Sequence, residues 1–295
     1  MNKFLSKKSA IIFFTAPFLI LYTLMMIYPI CQTVIKSFYD WDGIVKPVFV
    51  GLQNYREMLK DPDFWPAIKN GLIFAAVVFV FQQGMGTILA LIFSTPTLRI
   101  KGKKFFKTSF FIPVVLSVTV VGQLWTQLYN YDHGLINSLL GLFGENHKIA
   151  FLSDPKIAIY AVAFTNAWQF MGIMFVFIYT AIKAIPEQYY EAATLDGASA
   201  LTIHRKITLP MIAETYKFTF VMSITGGLKA FDNMFVMTGG GPGGSTMTLS
   251  YLMYNSAFKK GEFGYGCVSA VVLIIECLLF TFLINKFMAK ESITY

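Results

Sequence analysis

The chain has 295 residues, of which 56% are hydrophobic and only 14% are charged. Soluble domains carry about 25% charged residues, so this chain has too little polar surface to cover a soluble globule, and its composition predicts a membrane protein. The net charge of +8 does not indicate a nucleic-acid groove, because the basic residues stand in short segments beside apolar runs. The cysteines, Cys31, Cys267 and Cys277, have no CxxC spacing, which disfavours a disulfide framework or a zinc site.

Six apolar segments are long enough to cross the hydrocarbon core as helices, which takes about 20 residues. In chain order they cover residues 10–30, 72–93, 108–129, 157–182, 218–237 and 268–285. The first is too long for a signal peptide and has no small-residue cleavage site, so we expect a retained helix. The sequence therefore predicts an all-α, polytopic membrane protein with six transmembrane helices in a single domain, residues 1–295.

The distribution of Lys and Arg predicts how the helices are oriented. If the amino terminus is inside, the inner segments carry more basic residues than the outer ones, and residues 99–107 contain no acid. The outer basic residues alternate with Asp and Glu. The positive-inside rule then predicts a multi-pass protein of the bacterial cell membrane with both termini in the cytoplasm.

Residues 184–210, between the fourth and fifth apolar segments, form an unusual inner loop. Pro186 suits a first helical position, Gly197 can end that helix in the left-handed conformation, and Ser199 can cap a second helix. Pro210 marks where the second helix must stop or bend. The residues alone leave two readings open, a connecting loop packed on its own bundle or a helical pair that fits a groove of a cytoplasmic partner.

The motifs of this loop resemble a known family. Glu191-Ala192-Ala193, Asp196-Gly197-Ala198 and Ile207-Thr208-Leu209-Pro210 are similar to the EAA loop of binding-protein-dependent ABC importer permeases. Phe231-Asp232-Asn233 followed by Thr238-Gly239-Gly240-Gly241-Pro242 resembles the carbohydrate-uptake branch, of the maltose-transporter first-permease type. The resemblance extends to the span count and topology, and so covers nearly the whole chain.

The resemblance implies a type I ABC importer permease fold and a division of labour between subunits. This chain would form the path of a sugar or related solute in a heterodimer with a second, related permease. Two cytoplasmic ATPase subunits would bind the EAA loop, and an extracellular or periplasmic solute-binding protein would deliver the solute. The ATPase-docking residues that it implies are Glu191, Ala192, Ala193, Leu195, Asp196, Gly197 and Ala198.

No nucleotide-binding or catalytic motif is expected in this chain. GxxxxGK[ST] does not occur, so ATP and Mg²⁺ would belong to the partner ATPase, and the chain itself would be neither an enzyme nor a cofactor protein. Residues 239–244 fit GxGxxG, but Pro242 interrupts them and they fall on the predicted outer face. His133, His147 and His204 fall on different sides of the membrane, so no metal site is expected.

Polar residues in the fourth and fifth apolar segments are the candidates for a solute path, because lipid cannot satisfy them. They are Asn166, Trp168, Gln169, Ser223, Thr225, Gly226 and Gly227. Amides match sugar hydroxyls and an aromatic ring covers the apolar face of a pyranose, although hydrogen bonds between helices explain the same residues. The resemblance adds weight to Asn166 and Ser223, but it does not name the solute.

Glu276, in the last apolar segment, is an intramembrane acid of unknown role. One reading makes it the coupling acid of an ion- or proton-coupled secondary transporter, which is the alternative to an ABC permease. Another makes it a hydrogen-bonded neutral carboxyl. Gln82 and Gln83 would bond either neighbouring helices or the second permease.

Overall fold

A computed structural model describes residues 8–95, 101–144 and 147–288, and its regular structure there is helical apart from one pair of short strands. The α-helices are α1 Lys8–Tyr22, α2 Tyr28–Lys36, α3 Gln53–Lys60, α4 Phe64–Ser94, α5 Lys103–Val115, α6 Val118–Leu128, α7 Leu135–Gly141, α8 Ala158–Ala184, α9 Glu187–Leu195, α10 Ala200–Ile203, α11 Leu209–Met211, α12 Ala213–Leu228, α13 Asp232–Met237, α14 Leu249–Tyr254 and α15 Phe263–Phe287. Strands β1 (Tyr39–Asp40) and β2 (Val48–Phe49) pair antiparallel, with Tyr39 opposite Phe49. Lys3, Lys7, Arg99 and Lys290, which contribute to the predicted orientation, lie outside the described residues.

The chain divides into two compact units, so the single domain over residues 1–295 stays a prediction. The first unit consists of Met1–Asp61 and Leu252–Val272. In it, the Asn54 amide donates to the carbonyls of Ser37 (3.0 Å) and Tyr39 (2.9 Å), and the Tyr265 hydroxyl bonds the Asp61 carboxylate. The second unit consists of Pro62–Tyr251 and Leu273–Tyr295 and contains the loop at residues 184–210.

Two helices form the centre of the second unit. The long helices α4 and α8 pack against each other, and α12 packs on α4. Phe74, Val78 and Val162 lie in one buried cluster, while Phe93, Phe175 and Ile178 lie in another. This packing fixes the fourth and fifth apolar segments relative to the second.

Four helical runs are long and apolar enough to cross a membrane, or five if a bent pair counts as one. The four are Ala10–Lys36, Phe64–Ser94, Ala158–Ala184 and Phe263–Phe287, and the pair is Lys103–Val115 with Val118–Leu128. They match the first, second, fourth, sixth and third predicted segments. Several spans are therefore established, and the total of six remains a prediction.

The third predicted span is not one straight helix. Helices α5 and α6 meet at an angle of 103°. Leu116 is extended between them (φ −75°, ψ 148°), and the Gln169 side chain of α8 donates to its carbonyl at 2.9 Å. The Ser117 hydroxyl then accepts from the Val120 amide and caps α6 (3.3 Å). The chain bends here because both free backbone groups find side-chain partners.

The fifth predicted span, 218–237, is also interrupted. Helix α12 has 16 residues and ends at Leu228, and α13 begins at Asp232. Gly226 and Gly227 weaken the end of α12, since each glycine costs a helix about 1 kcal/mol relative to alanine. Buried Ser250 and Thr248 point to the carbonyls of Leu228 (3.5 Å) and Ala230 (3.4 Å), close to the break.

Two wide π-type turns each precede a proline by one residue. They span Thr23–Ile27, before Tyr28-Pro29, and His204–Thr208, before Leu209-Pro210. Proline has no N–H and its ring collides with a carbonyl of the preceding turn, so a wider turn lets the helix continue. The second helix of the 184–210 loop therefore runs past Pro210 to Met211 and breaks at Ile212 (φ −99°, ψ 17°).

Candidate functional site

The loop at residues 184–210 forms two helical pieces joined by a short corner. The sequence predicts Pro186 as the first helical residue. In the structure Pro186 is the N-cap of α9, one residue earlier. Gly197 has φ +75°, the left-handed conformation that was predicted, and the Ala198 amide reaches back to the Ala193 carbonyl (2.9 Å) to close a Schellman-type end. The predicted cap is also confirmed, because the Ser199 hydroxyl accepts from the Thr202 amide at 3.3 Å.

The corner presents small, apolar and acidic side chains to its surroundings. No residue of α9 is buried, and Leu195 and Leu201 are 89% and 78% exposed. Glu191, Ala192, Asp196 and Gly197 are exposed, and Ala193 and Ala198 are half-buried. All seven predicted docking residues thus lie on α9 and the corner, and their role stays a prediction.

His204 connects this loop to the end of α4. Its Nε2 lies 3.2 Å from the Thr95 hydroxyl, which follows the last residue of α4, and its Nδ1 lies 3.2 Å from the Thr208 hydroxyl. The Tyr190 hydroxyl of α9 approaches the same Thr208 oxygen at 3.3 Å. We call Tyr190, Thr208, His204 and Thr95 the His204 relay.

The donors and acceptors of the hydrogen bonds in the His204 relay follow from the Thr95 hydroxyl. The Thr95 hydroxyl donates to the Leu91 carbonyl (2.7 Å), so it can only accept from His204 Nε2–H. In the neutral imidazole, Nδ1 then accepts from Thr208, and the Tyr190 hydroxyl donates to Thr208. Burial lowers the pKa of His204 below its ordinary value of 6.5, which keeps the ring neutral at pH 7.

A chain of buried amides joins four helices of the second unit. The Asn166 amide donates to the Asn233 side-chain carbonyl (2.8 Å), and the Ser223 hydroxyl donates to the Gln82 carbonyl (2.8 Å). The Gln82 amide closes the chain with a longer contact of 3.4 Å to the Asn166 carbonyl. All four side chains are buried, so this amide chain links α4, α8, α12 and α13.

The other predicted solute-path residues have separate surroundings. Trp168 packs on Trp125 with ring centroids 5.4 Å apart, and Gln169 holds the Leu116 carbonyl. The Thr225 hydroxyl bonds Val221 of its own helix (2.7 Å), and Gly227 lies against Ala75 of α4. Gly226 is exposed. The structure brings together Asn166 and Ser223, and it joins them through Gln82 and Asn233, which were not among the predicted site residues.

We expect Gln82→Leu to destabilise the second unit by about 1–2 kcal/mol, because Asn166 and Ser223 each lose a partner and hydrogen bonds between membrane helices contribute at most about that much. Thermal unfolding of the detergent-purified protein measures the effect. Thr225→Val is the matched control, since its hydroxyl bonds only its own helix. An equal loss of stability in both variants would contradict a linking role for Gln82.

A cavity of about 510 Å³ lies within the second unit, and no residue of the amide chain lines it. Tyr129, Tyr131, Phe151 and Asp132 line it, together with Pro242 of the Gly-Gly-Pro segment. No predicted solute-path residue lines it, and no sequence pattern marks it because its walls come from three separate segments of the chain. Glu276 is half-buried on α15 and forms no ion pair within the described residues, and its role stays open.

Helices long and apolar enough to cross a membrane, joined by buried polar side chains, indicate an integral membrane protein. Residues 10–291 match the family model of the binding-protein-dependent transport system inner membrane component. A probable ABC transporter permease of Bacillus subtilis, YurN, is 36% identical over 276 residues, covering 93% of this chain and 94% of the relative. The multiple sugar-binding transport system permease MsmF of Streptococcus mutans is 33% identical over 276 residues, covering 93% of both chains.

A solved structure shares the fold. A chain of the bacterial alginate ABC transporter, crystallised with alginate pentasaccharide-bound periplasmic protein, superposes with a TM-score of 0.83 at 20% identity, covering 99% of this chain and 98% of that one. The chain belongs to the binding-protein-dependent transport system inner membrane components. It is the multi-pass permease of an ABC importer, and the comparisons give no support to an ion-coupled secondary transporter.

Proposed function

We propose that this chain and a second, related permease together form the path of a carbohydrate importer. The names of similar proteins support the solute class, since MsmF is a multiple sugar-binding transport system permease and the structure that shares the fold belongs to an alginate ABC transporter. The amide chain supports it chemically, because amides and a hydroxyl are the groups that exchange hydrogen bonds with sugars. Six spans with both termini in the cytoplasm are part of the proposal, supported by the distribution of Lys and Arg.

The proposed coupling between the ATPase and the membrane helices rests on one observation. The corner of the 184–210 loop is exposed, and the His204 relay connects this loop to α4. We infer that residues 184–210 dock into a cytoplasmic ATPase subunit, one of two, through Glu191, the small residues and Leu195. ATP and Mg²⁺ act in that partner. When the ATPase subunits close, the corner moves with them as a rigid element, and α8 and α12, which flank it, tilt. The His204 relay carries the same movement to α4.

Reconstitution of the full complex in proteoliposomes tests the proposal. We expect uptake of sugars that stabilise the binding protein in a thermal-shift panel, and no uptake with a hydrolysis-dead ATPase. Uptake that survives the dead ATPase and collapses without a proton gradient would favour the secondary transporter. Uptake driven by ATP but restricted to solutes that are not sugars would contradict the carbohydrate solute class and would leave the ABC importer proposal standing.

Glu191→Gln should lower co-purification of the ATPase and solute-coupled hydrolysis by about fivefold, because a charge-assisted hydrogen bond is about twice as strong as a neutral one. Glu187→Gln is the control, since it makes the same charge change on the same helix outside the docking set. Pull-down and hydrolysis assays on the complex measure both. Unchanged assembly and unchanged coupling in the Glu191 variant would exclude this contact.

A further inference from the structure

Lysines from two helices gather around one tyrosine ring at the end of α8. The Lys107 ammonium of α5 lies 3.5 Å from the centroid of the Tyr179 ring. Lys103 comes four residues before Lys107 on α5, and Lys183 comes four residues after Tyr179 in the last turn of α8, so each lies on the same helix face as its neighbour. We call Lys103, Lys107, Lys183 and Tyr179 the lysine cluster.

Close backbone packing holds the cluster together. A Cβ atom at Gly172 of α8 would lie 2.1 Å from the Phe110 carbonyl of α5, so the two helices touch backbone to backbone. Phe110 comes one turn after Lys107, and Tyr179 comes two turns after Gly172. The antiparallel contact therefore sets the lysines of α5 beside the end of α8.

The lysine cluster carries positive charge that no ion pair within the described residues neutralises. Residues 96–109, which include Lys103 and Lys107, contain no Asp or Glu. The nearest apolar neighbours in the chain, Phe105 and Phe106, are 71% and 44% exposed. Positive charge and exposed aromatic rings thus occur together, at the end of a membrane-spanning helix.

We propose that the lysine cluster binds the phosphate of an anionic phospholipid headgroup, with Phe105 and Phe106 among the acyl chains. Ammonium groups bind phosphate as point charges, and basic pockets between membrane helices hold anionic headgroups. The exposed rings favour a lipid over free phosphate as the source, because a soluble anion would leave them uncovered. The chain's place in a membrane follows from its family, so the inference does not depend on the solute.

Lipid binding to the purified importer complex, followed by native mass spectrometry, tests the proposal. We expect phosphatidylglycerol to bind at least about tenfold more tightly than phosphatidylcholine, since each lysine near a membrane surface contributes about fivefold to binding of anionic lipid. The variant K103Q/K107Q/K183Q should lose this preference, and K103R/K107R/K183R should keep it. Both variants should bind phosphatidylcholine as the wild type does, which shows that they are folded.

Two further measurements test whether the lysine cluster is the binding site and whether the bound phosphate belongs to a lipid. The variant K46Q/K156Q/K260Q removes the same net charge from exposed lysines elsewhere and should keep the lipid preference. An equal loss in this variant, or no preference in the wild type, would overturn the proposal. Binding of inorganic phosphate as tight as that of the lipid would also overturn the lipid assignment, in favour of a soluble anion. Each of these outcomes leaves the sugar-importer proposal untouched, because none concerns the solute or the ATPase.

Discussion

Gly197→Val should reduce ATPase docking and solute-coupled hydrolysis by about thirtyfold. Gly197 has φ +75°, which a β-branched residue adopts only with strain of about 2 kcal/mol, and this converts to about thirtyfold in population. Nothing lies within 4 Å of a Cβ atom placed there, so the effect is one of backbone conformation and not of collision. The corner between α9 and α10 would open and separate Glu191 from the start of the second helical piece.

Gly197→Asn separates conformation from side-chain size. Asparagine tolerates the left-handed region far better than valine does, so this variant should keep most of the coupling although its side chain is about as large. Co-purification of the ATPase and hydrolysis stimulated by loaded binding protein measure both variants. Equal loss with Val and Asn would mean that the partner approaches Gly197 too closely for any side chain, and it would contradict the conformational explanation.

His204→Leu should lower the number of solute molecules transported per ATP hydrolysed by about tenfold or more. The substitution removes both contacts of the ring and leaves the fully buried Thr208 hydroxyl without the acceptor that Nδ1 provides. Two hydrogen bonds contribute about 1 kcal/mol each. His204→Gln, which can reach Thr95 and does not titrate, should restore part of the coupling. Leu and Gln variants with wild-type coupling would show that the relay transmits nothing.

The wild type should also lose coupling as the pH falls below 6.5. Because the pKa of His204 is lowered by burial, the released ring binds a proton more readily than the ring in the relay, so protonation favours release. The contribution of the relay is therefore complete above pH 6.5 and decreases as the pH falls towards the lowered pKa. His204→Gln should remove this pH dependence. Transport per ATP at pH 7.5 and at pH 6.0 in proteoliposomes measures it.

Local chemistry predicted the parts of the site that depend on neighbouring residues. Gly197 ends α9 and Ser199 caps α10 as expected, because both effects act within four residues. The lengths of the apolar segments predicted α4, α8 and α15, because hydropathy is a sum over a window. The dipeptides Tyr28-Pro29 and Leu209-Pro210 also mark the positions of two π-type turns, although turn width could not be read from them.

The structural features that the sequence did not predict depend on contacts between residues that are distant in the chain. The bend after α5 depends on Gln169, 53 residues from Leu116. His204 meets Thr95 across 109 residues, and Ser223 meets Gln82 across 141. The polar residues of these pairs stand out in apolar segments, but one sequence gives no means of choosing among their possible partners. A solute contact and a helix contact use the same amides, so composition does not separate them.

Any molecule that separates Asn166 from Asn233, or Gln82 from Ser223, leaves a buried polar group on each side. One of these groups needs an acceptor and the other needs a donor. A hydroxyl supplies both at once, whereas a methyl group supplies neither and a cation cannot accept. In the importer proposed above, a solute that opens either contact would therefore need to donate and to accept hydrogen bonds, whatever its size or charge.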